Sequence, residues 1–206
     1  QTVPHGLSQA PAFILTKSLN ESGSPNVAWG VFHKDGSYNN AMLYLMLTAG
    51  PAPDTNVYTT TSQTNEHFTI GTWPGINQNT TNYISYIWHD VPGLQKFGSY
   101  VGSSGAAFVE LGFRPAVIIF KGLGTGRAWN LYDSKRDPVN PVTHYLFPYQ
   151  NAIEGSTSDR VDFLSNGFKI RASNAAEPNV DGVTYIYMAW AEAPSFNLYG
   201  GQSNAR

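Results

Sequence analysis

Glycoside hydrolysis needs two carboxyl groups facing each other across a sugar at roughly 5 to 9.5 Å. The closest acidic pair in a candidate strand is Asp159 and Asp162, but a separation of three puts their side chains on opposite faces of a strand. Asp90 and Glu192 occupy matching places in two similar stretches of chain, which ties them to a repeat rather than to a unique active site. The five histidines, His5, His33, His67, His89 and His144, show no H-x-x-x-H spacing, so a zinc site would have to be assembled by the fold alone. DSKRDPVNP at 133–141 offers Asp133, Asp137 and Asn140 as calcium oxygens but lacks the ordered ladder of an EF-hand loop. A turn set by Asp and Pro is the preferred reading. KGLGTG at 121–126 has the glycines of a phosphate-cradling loop, yet the RAWNLYD that follows reads as a strand and not a helix, which favours a Gly-rich hairpin turn. No serine sits in a G-x-S-x-G elbow. These residues predict no enzyme, with no catalytic residue, metal or cofactor.

The remaining chemistry is that of aromatic rings and amides. Trp73 lies in GTWPGINQNTTN at 71–82, among Gly, Pro, Asn and Thr, where a large apolar ring needs a reason to be present. It either folds back as a local cover or offers a stacking platform to a sugar or partner surface. Tyr38 beside Asn39, Tyr58 among threonines, and Asn77 in the Trp73 loop complete the candidate ligand-binding set.

The elements that would carry these residues recur. PAFILTK at 11–17 answers PAVIIFK at 115–121, an offset of 104, and VAWGVFH at 27–33 answers RAWNLYD at 127–133, an offset of 100. Tyr44-Leu45 answers Tyr145-Leu146, Phe68-Thr69-Ile70 answers Phe168-Lys169-Ile170, and NYISYIWHDVP answers TYIYMAWAEAP. The changes of offset fall among turn formers, as loop insertions would. Residues 1–95 are therefore read as a first β-repeat, 96–194 as a second and 195–206 as a tail. Matching across the copies marks Trp29, Trp129, Trp88 and Trp190 as core or sheet residues.

Short segments rich in Val, Ile, Phe, Tyr, Trp and Thr, broken about every ten residues by Gly, Ser, Asn and Pro, predict an all-β fold. The expectation is an antiparallel β-sandwich, jelly-roll or lectin-like, built from two related halves of about 100 residues. AMLYLMLTAG at 41–50 could be helical, but its counterpart THYLFPYQNA carries Pro148, so both are read as strands. NYISYIWHDV points Tyr83, Ser85 and Ile87 one way and Ile84, Tyr86 and Trp88 the other. Bulk on both faces predicts a central strand. In the second copy two strands, KFGSYVG and AAFVELGFR, precede PAVIIFK, whereas ten residues precede PAFILTK. The opening strand of the first copy is thus read as mostly missing, to be completed by more chain upstream or a neighbouring subunit.

With 206 residues and 41% hydrophobic content the chain can bury a substantial core. Charged residues are only 13%, so the surface is polar mainly through amides and hydroxyls. A net charge of −2 without a Lys/Arg cluster argues against nucleic acid or anionic lipid. With no cysteine, disulfides contribute nothing, and no apolar run approaches a membrane span.

VPHGL at 3–7, KFGSYVG at 96–102, FVELGFRPA at 108–116, AWNLYDSKRDPVNP at 128–141, VDFLSNGFKIRAS at 161–173 and GVTYIYMAWAEAP at 182–194 resemble a domain-of-unknown-function family of tailed-bacteriophage virion proteins. The resemblance implies a non-enzymatic virion component, assembled in the bacterial host cytoplasm. Its partners would be other virion proteins, further copies of itself (a trimer by analogy with fibres) and host surface polysaccharide, without nucleic acid or membrane insertion. The first reading is a tail-fibre receptor-binding module. Alternatives are a capsid-decorating or tail structural protein, and a polysaccharide depolymerase.

Overall fold

The computed structural model describes residues 1–20, 28–36, 41–53, 56–59, 63–171 and 177–193. It is an all-β molecule of antiparallel sheets, and it divides into two compact units, Gln1–His89 and Asp90–Arg206.

In the first unit β1 (Thr2–Pro4), β2 (Phe13–Ser18), β3 (Gly30–His33), β4 (Ala41–Tyr44), β5 (Ala52–Pro53), β6 (His67–Thr69) and β7 (Tyr83–Trp88) follow in order. One turn of helix, α1 (Pro74–Asn77), precedes β7. A five-stranded sheet has the order β5-β4-β3-β2-β7, and β1 pairs with β6. Ile14, Phe32 and Met42 of the large sheet share a buried cluster with Phe68, Ile70 and Ile76, so the two layers form a sandwich.

The second unit holds β8 (Gln95–Val101), β9 (Ala107–Glu110), β10 (Pro115–Gly122), β11 (Trp129–Asp133), β12 (Val142–Tyr145), β13 (Gly155–Leu164), β14 (Gly167–Ile170) and β15 (Thr184–Ala191). Its sheets run β11-β10-β15-β8 and β12-β13-β14-β9. Ile118, Phe120 and Tyr187 of the first meet Val161, Phe163 and Phe168 of the second in one core.

Strand pairing in the units follows the sequence offsets. Phe13 pairs with His33 and Trp88, and Val117 with Asp133 and Trp190. Ile14 pairs with Phe32 and Ile87, and Ile118 with Tyr132 and Ala189. Val3 opposes Phe68 as Val109 opposes Phe168. Just beyond these strands Gly6 and Gly112 both have positive φ, +71° and +82°, where a side chain would be strained. The KGLGTG glycines join β10 to β11, an antiparallel pair, as a hairpin turn requires.

Three expectations are corrected. Of the two strands preceding PAVIIFK, one does have a counterpart in the first unit: β1 takes the place of β9, and the strand without an equivalent among the described residues is β8. Second, β7 ends its sheet, while its counterpart β15 is flanked by β10 and β8. The bulk on the two faces of β7 has two uses: Ile87 packs on the inner cluster, while Trp88 on the other face stacks at 5.2 Å on Phe13, its cross-strand partner on β2. Bulk on two faces does not supply a second lateral neighbour. Third, of the four matched tryptophans Trp29 is half-buried and just precedes β3, whereas Trp129, Trp88 and Trp190 lie in β11, β7 and β15 as read, Trp129 fully buried and the other two half-buried. AMLYLMLTAG is a strand over Ala41–Tyr44 and then turns.

Candidate functional site

A cleft of about 500 Å³ opens between the layers of the first unit, beside β7. Its apolar floor is Phe68, Ile70, Ile76 and Ile87, and Val3 and Pro4 of β1 form one wall. The other wall is the run from Asn77 through Thr81, following α1. Tyr83, Ser85 and Ile87 of β7 point in together, as the period-2 alternation of NYISYIW requires.

The same place in the second unit is filled. There Tyr100 of β8 lies flat on Tyr185, with ring centres 5.3 Å apart and 13° between planes, and it contacts the edges of Phe120 and Phe168 at 6.1 and 6.0 Å. Phe168 in turn packs on Tyr187 at 5.4 Å. Register places Thr16 where the second unit has Phe120, Ser85 where it has Tyr187, and Tyr83 where it has Tyr185. Two large rings are thus replaced by small hydroxyls, and no ring covers Tyr83 among the described residues.

The hydroxyls are held in a chain. Tyr58, fully buried, donates to Thr16 Oγ1 at 2.7 Å, and Thr16 Oγ1 lies 2.9 Å from Ser85 Oγ. Burial raises the Tyr58 phenol well above its ordinary value, against the pull of the Thr16 hydrogen bond, so it remains a neutral donor. A hydroxyl has one donor and two acceptor positions, which leaves Ser85 with bonding capacity at the cleft. Tyr83 Oη donates to Pro74 O and accepts from Gln78 N at 2.9 Å, tying the rim loop to the strand. Asn77 Nδ2 donates to Gly71 O at 2.6 Å, fixing its amide at the rim. Thr80 stands on that rim with φ +65°, an uncommon conformation for a β-branched residue. Among the described residues, no Asp, Glu, Lys, Arg or His side chain lines the cleft, and the α-amino group of Gln1, which also lines it, donates to Ile70 O at 2.8 Å. The arrangement can receive a neutral ligand with an apolar face and several hydroxyls.

The ligand-binding candidates drawn from the sequence fare differently. Asn77 lines the cleft. Trp73 is half-buried, meets Tyr44 edge-on at 5.8 Å and lies over the backbone of Gly75, so its ring packs on the core as a local cover. Tyr58 shows no surface to solvent, and any contribution it makes passes through Thr16. Tyr38 and Asn39 lie outside the described residues. Thr16, Ser85 and Tyr83 were not among the candidates. Their signal was in the repeat: Thr16 stands against Phe120 and Ser85 against Tyr187 at positions where the copies otherwise match apolar for apolar.

Four of the polar residues weighed as metal or catalytic groups, Asp133, Asp137, Asn140 and Asp162, are engaged in hydrogen bonds of the fold. Asp133 Oδ1 accepts from the N–H groups of Lys135 and Arg136 at 2.9 Å, and Asp137 Oδ2 from those of Thr143 and His144 at 2.6 and 2.7 Å. Asn140 bonds both the N–H and the C=O of Phe163. Asp162 is held by Arg171 at 3.0 Å.

Compared with known protein families, the sequence matches the one described as a domain of unknown function, DUF7483, over residues 1–194. The chain belongs to the DUF7483 family. No curated protein and no solved structure matches it. The DUF7483 match includes both the open cleft of the first unit and its filled counterpart in the second, and the family description assigns no activity.

Proposed function

We propose that this chain is a non-enzymatic recognition module of a bacteriophage virion, binding a neutral glycan of the host surface in the cleft of its first unit. The observation that carries the binding reading is the replacement of an aromatic plug by hydroxyls. A sugar presents an apolar face and a rim of hydroxyls. Tyr83 offers a ring for the face, and Ser85, Asn77 and the Gln78–Thr81 loop offer partners for the rim. The virion assignment is supported by the motif resemblance described above. The matching registers support reading the two units as copies of one β-unit, of which the first has specialised.

The test refills the cleft with the second unit's own side chains. Thr16→Phe together with Ser85→Tyr should keep the native far-UV spectrum, at a stability cost of about 1–3 kcal/mol for the buried Tyr58 hydroxyl that loses its acceptor, while weakening binding of host-surface oligosaccharides, measured by calorimetry, more than about tenfold. Binding that survives the refilled cleft removes the site. Release of shortened oligosaccharides from host polysaccharide overturns the non-enzymatic reading and favours a depolymerase. A second reading, a capsid-decorating or tail structural protein, is favoured by β7, which among the described residues pairs on one side only, with β2. It predicts a chain on the particle that binds no glycan.

A further inference from the structure

His5 closes the corner between β1 and β6 with its side chain. Its Nδ1 accepts the N–H of Leu7 at 2.9 Å, so the ring proton sits on Nε2, which donates to Thr64 O at 3.0 Å. Both ring nitrogens are used, and only the neutral imidazole can do this: an imidazolium has two donors and no lone pair for Leu7. The main chain of His5 donates to Glu66 O at 3.1 Å, which extends the β1–β6 ladder one pair beyond Pro4 and His67. The carbonyl that the ring holds belongs to a tight turn. Thr64 Oγ1 accepts from the N–H groups of Glu66 and His67 at 3.2 and 3.0 Å, and Thr64 N donates to His67 O at 3.0 Å.

The second unit closes the same corner without a titratable group. Val109 opposes Phe168 there as Val3 opposes Phe68, which puts Leu111 in the place of His5 and Asn166 in that of Glu66. Leu111 N and Gly112 N both donate to Asn166 O, at 2.8 and 3.0 Å, and the Leu111 side chain is buried in the core. Backbone amides keep their charge between about pH 8 and pH 5, the range in which an imidazole takes up a proton.

We propose that His5 is an acid-sensitive latch on β1: neutral, it ties the strand to the turn ahead of β6, and protonated, it lets go. The titratable side chains facing it are His67 on β6 and Glu66 in the turn, while β1 and residues 6–10 carry none. His67 Nδ1 lies 3.3 Å from Thr64 Oγ1, so protonating both rings brings two positive charges to one threonine, against the single exposed carboxylate of Glu66. Stabilisation by the latch is complete above the imidazole range and is lost as pH falls through it. Val3 and Pro4 of β1 form one wall of the cleft, so acid loosens that wall. Weaker ligand binding in acid would rest on the glycan reading, whereas the latch stands without it.

Amide exchange in the full chain tests the latch with no ligand present. By alternation from the His5–Glu66 and Leu111–Asn166 bonds, Val3 and Phe68 exchange N–H···O bonds as Val109 and Phe168 do. After correction for intrinsic rates, protection of Val3 and Phe68 should fall about three- to tenfold from about pH 7.5 to about pH 5.5, while that of Val109 and Phe168 stays level. His5→Gln, whose amide accepts from Leu7 and donates to Thr64 without titrating, should keep the higher protection at both pH values. His5→Ala should show the lower protection at both, and His67→Gln should retain the pH dependence. Protection at Val3 and Phe68 that does not change relative to Val109 and Phe168 overturns the proposal. So does a pH dependence that survives His5→Gln, or one abolished by His67→Gln.

Discussion

Asp137 shows how a residue type with several possible chemistries is committed by its neighbours. The sequence offered it as a calcium oxygen, but its carboxylate accepts the N–H groups of Thr143 and His144 and lies 2.9 Å from His144 Nδ1. Burial alone would raise its pKa, yet the N–H and ring of His144 and the N–H of Thr143 outweigh it and hold the carboxyl at about 2, against an ordinary 3.8. A carboxylate depressed in the folded state stabilises fully above its unfolded value and loses that stabilisation as pH falls through its folded value. Asp137→Asn is therefore expected to cost about 1–3 kcal/mol at neutral pH. The difference from wild type should shrink between pH 4 and pH 2, read by denaturant unfolding across that range. The lysines ending PAFILTK and PAVIIFK both sit over the matched tryptophans, Lys17 over Trp29 at 5.7 Å and Lys121 over Trp129 at 5.9 Å. Lys121 is also fully buried, and burial lowers its ammonium to about 8, Glu177 pulling the other way. Nothing in the string PAVIIFK distinguishes that lysine from the half-buried Lys17.

Among the elements, the strands themselves were readable because branched and aromatic residues alternate between turn formers. Their pairing and lateral position were not. Two strands with the same alternation, β7 and β15, end up at the edge and the interior of their sheets, because only β15 has β8 beside it. Gly98 is the position where β8 is fitted to that role. A methyl there would meet the Tyr187 ring, which cannot swing aside because Phe168 and Tyr100 pack against it. Gly98→Ala should cost about 1–3 kcal/mol through overpacking, measured by denaturant titration. Much of that cost should disappear in a Tyr187→Ser background, serine being the residue that the first unit has at this place. Equal costs in both backgrounds would assign the glycine to backbone conformation instead.

At the scale of the whole molecule, two units with matched registers differ in how completely each is filled, and hydrogen exchange should report the difference. In dilute, monomeric protein the amides of Tyr83, Ser85 and Ile87 are expected to exchange at least about tenfold faster than those of Tyr185, Tyr187 and Ala189, which β8 covers. Equal protection would mean that the β7 edge is already occupied. The sequence by itself determined the all-β class, the strand-forming segments, their internal similarity and the scarcity of charge. Each of these is a property of local alternation, composition or internal similarity, and each can be read along the chain. Only the tertiary structure decided that Trp73 packs inward, that β7 has β2 as its one strand neighbour among the described residues, and that a cleft stands where the second unit has a ring. A cavity is the volume left after residues as distant as Val3, Thr16, Phe68 and Ser85 have been packed together, and no single segment of the sequence specifies that remainder.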